Sequence, residues 1–166
     1  VGLSLEYIKT YRDQKIAEDR TNTIIESAQE GIVVIDPKGL VADFNPFAEG
    51  MFGYKCEEVL GQNVKMLMPE PYHSDHDGYL SKYLRTRQKN IIGAMREVEG
   101  LRKDGSIFPM ELRVSEMNLG GIPFFGGSLR DISERKEAED KLEAAKKLAE
   151  NAQAEAESAN KALIKH

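Results

Sequence analysis

The sequence predicts an α+β domain. Its expected core is a five-stranded antiparallel sheet with short helices on one face, flanked by an N-terminal helix and a long C-terminal one. Three observations carry this expectation. Apolar, β-branched runs of strand length recur on both sides of the middle of the chain, joined by Pro/Gly or Asn/Gly turns short enough to pair neighbours antiparallel. The helical signals between the second and third runs are short and cluster together, so they should cover one face of the sheet. A charged, alanine-rich heptad pattern then starts after Ser133 and continues to the end of the chain.

The elements follow in order. Residues 1–22 are polar, with Leu3, Leu5, Ile8, Tyr11 and Ile16 at irregular helical spacing, and read as a flanking helix entering from an upstream part of a longer protein. Thr23-Ile24-Ile25-Glu26 has the form of a capping box and predicts a fresh helix start inside the domain, which is placed at residues 23–133. Gly31–Ile35 and Leu40–Phe44 flank Asp36-Pro37-Lys38-Gly39 and predict a hairpin. Asn45-Pro46 supplies a cap and a first-turn proline for a helix ending near Gly53. Cys56–Gly61 reads as one more helical turn. Met66–Pro71 is apolar and then broken by proline.

Asp75–Arg87 is a helix whose buried side is expected to carry Tyr79, Leu80, Tyr83 and Leu84. Three strands follow, at Ile91–Val98, Ile107–Met117 and Ile122–Leu129, with Met110, Leu112 and Val114 alternating onto one face. The pair Gly126-Gly127 predicts either a bulge or a close backbone approach. Residues 134–166 form the last segment. In it Ala138, Leu142, Ala145, Ala149, Ala152, Ala156, Ala159 and Leu163 alternate four and three apart, the a/d seam of a two-stranded coiled coil.

Composition excludes several classes. Forty per cent apolar residues can build one core, but no apolar run approaches the roughly 20 residues that span a bilayer. No basic-then-apolar leader is present. The chain is therefore expected to make no direct membrane contact and to work in the cytoplasm, although its parent could be membrane-anchored. With 23 basic and 28 acidic residues interspersed and a net charge of −5, no basic stripe suggests nucleic acid as a partner. Cys56 is the single cysteine, so a disulfide framework and a multi-cysteine metal site are excluded. No nucleophile–base order, phosphate loop or paired-carboxylate motif stands out, and no catalytic residue is expected.

Five groups of residues resemble a PAS domain of the S-box type. They are Gly31–Asp36, Asn45-Pro46-Phe47-Ala48-Glu49, Phe52-Gly53-Tyr54 with Glu58–Gly61, Arg102–Ser106, and Arg130–Arg135. Within PAS domains, Met68-Pro69-Glu70-Pro71, His76-Asp77 and Ile91-Ile92-Gly93 are most similar to FixL-like oxygen sensors. The tail resembles the helix that leads into a histidine-kinase dimerisation domain.

The resemblance implies a sensory or dimerisation module of a bacterial sensor histidine kinase. It also implies a parallel homodimer through the flanking helices and a downstream kinase domain. A structural spacer ahead of a diguanylate cyclase, or a haem or flavin sensor, are the alternatives. By the same resemblance Asp131-Ile132-Ser133 is the signal junction, with the Asp131 carboxylate anchoring it through a basic partner.

The residues argue against the two familiar chromophores. Haem-binding relatives place the iron ligand immediately before the Ile-Ile-Gly run, where this chain has Asn90, a poor ligand beside an imidazole. His73 and His76 read as polar residues at the start of the 75–87 helix. Light-sensing relatives carry a cysteine after Gly-x-Asn, and here Val64 follows Gly61-Gln62-Asn63. No cofactor is predicted, which leaves room for an unknown small ligand. A pocket for it would lie between the sheet and the 75–87 helix, walled by Tyr83, Leu84, Ile91, Met95, Leu112 and Phe125, with Asn90 and Arg96 at its mouth.

Overall fold

The structure is a computed structural model that describes residues 5–27, 29–88 and 92–165. These divide into two compact units, one ending at Asp131 and one beginning at Ile132. The first opens with helix α1, Leu5–Ser27. The break expected at Thr23 is absent. Its hydroxyl donates to the carbonyl of Asp19 at 2.8 Å, one turn back along the same helix. A threonine so bonded rides inside a helix instead of capping a new one.

The hairpin of strands β1, Gly31–Ile35, and β2, Val41–Phe44, forms where expected. The Asp36 carboxylate accepts from the amides of Lys38 and Leu40 and closes the turn, while Gly39 takes φ +84°, a conformation only glycine adopts cheaply. Helix α2, Pro46–Phe52, follows at once. Asn45 Oδ1 accepts from the amides of Ala48 and Ile32, and its Nδ2 donates to the Glu30 carbonyl. One side chain thus caps the helix and ties it to β1. Gly53, at φ +78°, ends the helix. The short helix α3, Cys56–Val59, and a 3-10 turn, Val64–Leu67, lead to helix α4, Tyr72–Thr86.

Strands β3, Met95–Leu101, β4, Ile107–Leu119, and β5, Ile122–Asp131, complete one antiparallel sheet of order β2-β1-β5-β4-β3. The inner face carries Val33, Ile35, Phe108, Met110, Phe125 and Leu129, all buried. Phe44, Phe52 and Phe108 form a chain of rings, with centroids 6.1 and 5.4 Å apart. Ala48, Phe52, Val59 and Leu67 close the core from the helical side. Gly100 faces Phe108 so closely that a Cβ there would stand 2.7 Å from the ring. A side chain at that position would push the ring out of the core.

The second unit is the single helix α5, Ser133–Ile164. Among the described residues no helix is long and apolar enough to cross a membrane.

Candidate functional site

Helix α4 contacts the core along a regular stripe. His73, His76, Asp77, Leu80, Tyr83 and Leu84 are half-buried, at the 3–4 spacing of one helix face. Tyr79 is 50% exposed and points away. Half of the inward stripe is therefore polar. No residue of the helix is fully buried.

Four of the expected pocket residues come together. Tyr83 and Leu84 pack on the core beside Leu112 and Phe125. The Tyr83 ring stands edge-on to Phe125, with centroids 5.6 Å apart. Met95 does not join them. It pairs with Arg113, on the opposite face from Leu112, and is 54% exposed. There it lines a shallow pit of about 60 Å³ with Glu30, Glu111, Arg113, Ser128 and Arg130. Arg96 pairs with Leu112 and shares the inner-face parity, but it lies exposed near the sheet edge. Asn90 and Ile91 lie outside the described residues.

Polar contacts hold α4 at both ends. Near its start, Asp77 accepts from Asn63 Nδ2 at 3.0 Å and from Lys65 Nζ at 3.4 Å. These bonds, that from Asn63 foremost, hold its carboxyl below the ordinary range. His73 Nδ1 lies 2.7 Å from the Lys65 carbonyl. At the far end, the Tyr83 hydroxyl donates to Glu116 at 2.8 Å, which raises its pKa, and Arg87 pairs with the other oxygen of the same carboxylate.

His76 sits beside Asp77 in the first half of the inward stripe. Its Nδ1 is buried and has no hydrogen-bond partner among the described residues. Burial pushes its pKa below the ordinary value, against a smaller opposing pull from Asp77. The unfolded chain therefore takes up this proton first. Stability is full above pH about 6.5 and falls as pH drops through that value toward the folded pKa. The depressed carboxylates Asp77, Glu70, Glu58 and Asp104 lose their contribution only below about 4.5, so the upper window belongs to His76. His76→Phe is expected to flatten the slope between pH 6.5 and 5 by up to about 1.4 kcal/mol per pH unit in urea unfolding at stepped pH. An unchanged slope would contradict the assignment.

The junction has a defined anchor. Asp131 ends β5, and its carboxylate accepts from Arg102 Nη2 at 2.8 Å. Arg102 lies just after β3. Its Nε donates to the Met51 carbonyl at the end of α2, and its guanidinium lies 4.0 Å over the Phe108 ring. One side chain thus joins a helix end, the core and the last residue of the sheet. The family resemblance implies a basic partner for Asp131 without naming it, and the structure supplies Arg102. Ile132 is buried, and Ser133 begins α5. The eight seam positions all lie on exposed parts of α5, with Leu142 and Leu163 more than 70% exposed. Leu148, which sequence reading leaves out, is equally bare and flanks the seam.

The family model described as PAS fold matches residues 19–132. The chain belongs to the PAS family. This PAS domain is 41% identical over 126 residues to the sensor protein FixL of Bradyrhizobium diazoefficiens, covering 76% of this chain and 25% of that protein. It is 31% identical over 137 residues to the cell-division control histidine kinase PdhS of Brucella abortus, covering 81% of this chain and 13% of that protein. Among solved structures, the PAS domain of an HTR-like protein from Haloarcula marismortui superposes with a TM-score of 0.61 at 25% identity, covering 75% of this chain and 98% of that one. The PAS domain is thus homologous to those of sensor histidine kinases, and it spans a quarter or less of the two curated relatives.

For haem, His76 is the described histidine placed to serve: it lies on the inward stripe of α4, and its buried Nδ1 has no hydrogen-bond partner among the described residues. The layer beneath α4 is, however, filled by the Tyr83–Phe125 contact. For covalent flavin, the only thiol is Cys56 on α3, whose pKa is pushed up by burial and then by Asp43, Glu49 and Glu57.

Proposed function

We propose that this PAS domain is the sensory and dimerisation module of a cytoplasmic signalling protein, a sensor histidine kinase, and that it passes a change at its sheet to a pair of C-terminal helices. The observation that carries the reading is Arg102. It couples the core ring Phe108 and the end of α2 to Asp131, the residue after which the chain runs into α5. A shift of the core or the sheet would move Arg102, and with it the point at which the output helix begins. Similarity to FixL and to PdhS supports a kinase as the downstream partner.

The seam supports a second copy as the immediate partner. Six of its eight positions are alanine, which lets two helices approach closely while burying little. A pair held that weakly can change register or rotation at small cost, as a relay between two states of similar energy requires. Light scattering on the whole chain and on a version ending at Ser133 tests the pairing. The whole chain is expected to scatter as a dimer and the shortened one as a monomer. Monomers in both cases would overturn the proposal.

A further inference from the structure

We propose that α4 is a latched lid and that Glu116 is its latch. The helix is held over the inner face by polar contacts at its two ends more than by burial, since none of its residues is fully buried and only Leu80, Tyr83 and Leu84 press large apolar surface onto the core. A helix secured in this way can detach without exposing a buried core residue of its own, which places it among the first elements to open.

The C-terminal contact is built as a catch. Arg87 follows the last helical residue at φ +56°, a left-handed conformation that costs a non-glycine residue energy, and its amide closes on the Tyr83 carbonyl at 2.7 Å. That geometry folds the guanidinium back toward the Tyr83 ring, 5.8 Å from its centroid, and onto Glu116. Glu116 receives both Tyr83 and Arg87 on one carboxylate. It stands on β4 directly opposite Phe125 of β5, the ring that Tyr83 meets edge-on. Releasing Glu116 would free Arg87 and Tyr83 together and uncover Phe125. The N-terminal contact, through Asp77, Asn63 and Lys65, lies beside the turn at Gly39 and would act as the hinge end. The device stands on the contacts of α4 alone and holds whether or not the tails pair.

Amide hydrogen exchange measured by mass spectrometry tests it. In Glu116→Ala, amides within 75–86 are expected to exchange about tenfold faster, while those of β1 and β5 keep their rates. Arg87→Gly is the sharper variant, because the two explanations differ in sign. Glycine relieves the left-handed strain, so a role confined to capping would slow exchange in α4. A latch role requires it to quicken, by about fivefold. Lys103→Ala removes the contact to Glu58 on α3 and serves as the control for general loosening, expected to leave α4 unchanged. Slowed or unchanged exchange in Arg87→Gly would overturn the proposal. So would equal acceleration of all elements in Glu116→Ala.

Discussion

Phe108→Ala is expected to lower the unfolding free energy by about 4 kcal/mol, read as a shift of the urea midpoint at unchanged slope. The ring is 2% exposed and sits edge-to-face with Phe52, which is wholly buried. Its removal empties a space bounded on one side by the backbone of Gly100, which has no side chain to move into it. The site therefore relaxes poorly, and the cost belongs near the upper end for such truncations. A domain of this size is stable by about 5–15 kcal/mol, so the variant should be close to unfolding at physiological temperature. The change also removes the surface on which the Arg102 guanidinium rests. A loss below about 1 kcal/mol would show that the ring is not the keystone of this core.

Ala145→Leu is expected to tighten dimerisation by one to two orders of magnitude. Each substitution adds three carbons to a d position, six per dimer, and each fully buried carbon contributes about 0.8 kcal/mol. Half-burial at a seam built for alanine gives about 2–3 kcal/mol, or roughly 30- to 150-fold in Kd. Sedimentation across a dilution series reads it directly. The same change at Lys147, on the far side of the helix, should leave Kd within twofold. If both substitutions act alike, the seam is not the contact surface. If the relay depends on a weak and movable pair, Ala145→Leu should also freeze it in one state.

Much of this architecture could be read from local chemistry. The Asp36–Gly39 turn, the Asn45-Pro46 start of α2 and its Gly53 stop depend on neighbours in sequence, and all three form as expected. The differences arise where tertiary context decides. Thr23 carries a capping signal but lies inside a helix that nothing interrupts. The inward stripe of α4 includes His76 and Asp77 in place of Tyr79, because the partners of its polar residues, Asn63 and Lys65, come from another element.

Met95 shows how one residue of phase redirects a side chain. Ile92 packs against the core and is in phase with Arg96, Val98 and Gly100. A strand counted from Ile91 points Met95 inward, while the actual register points Arg96, Val98 and Gly100 that way. Glu116 carries no local signal at all. It meets α4 only because β4 passes under the end of that helix, with Glu116 twenty-nine residues further along the chain than Arg87. Arg102 was present in a recognisable turn, but the ring beneath it and the carboxylate beyond it are features of the fold.

In the proposed dimer, two copies of α5 run parallel and in register from the Asp131 junction. Oxidative cross-linking of Ala145→Cys in a Cys56→Ser background tests it most directly. Symmetric d positions of a parallel pair bring the two Cα atoms to roughly 6 Å, within reach of a disulfide. The expected result is rapid, near-complete dimer formation from Ala145→Cys and little from Lys147→Cys. Equal and slow cross-linking at both positions, or none at either, would contradict it.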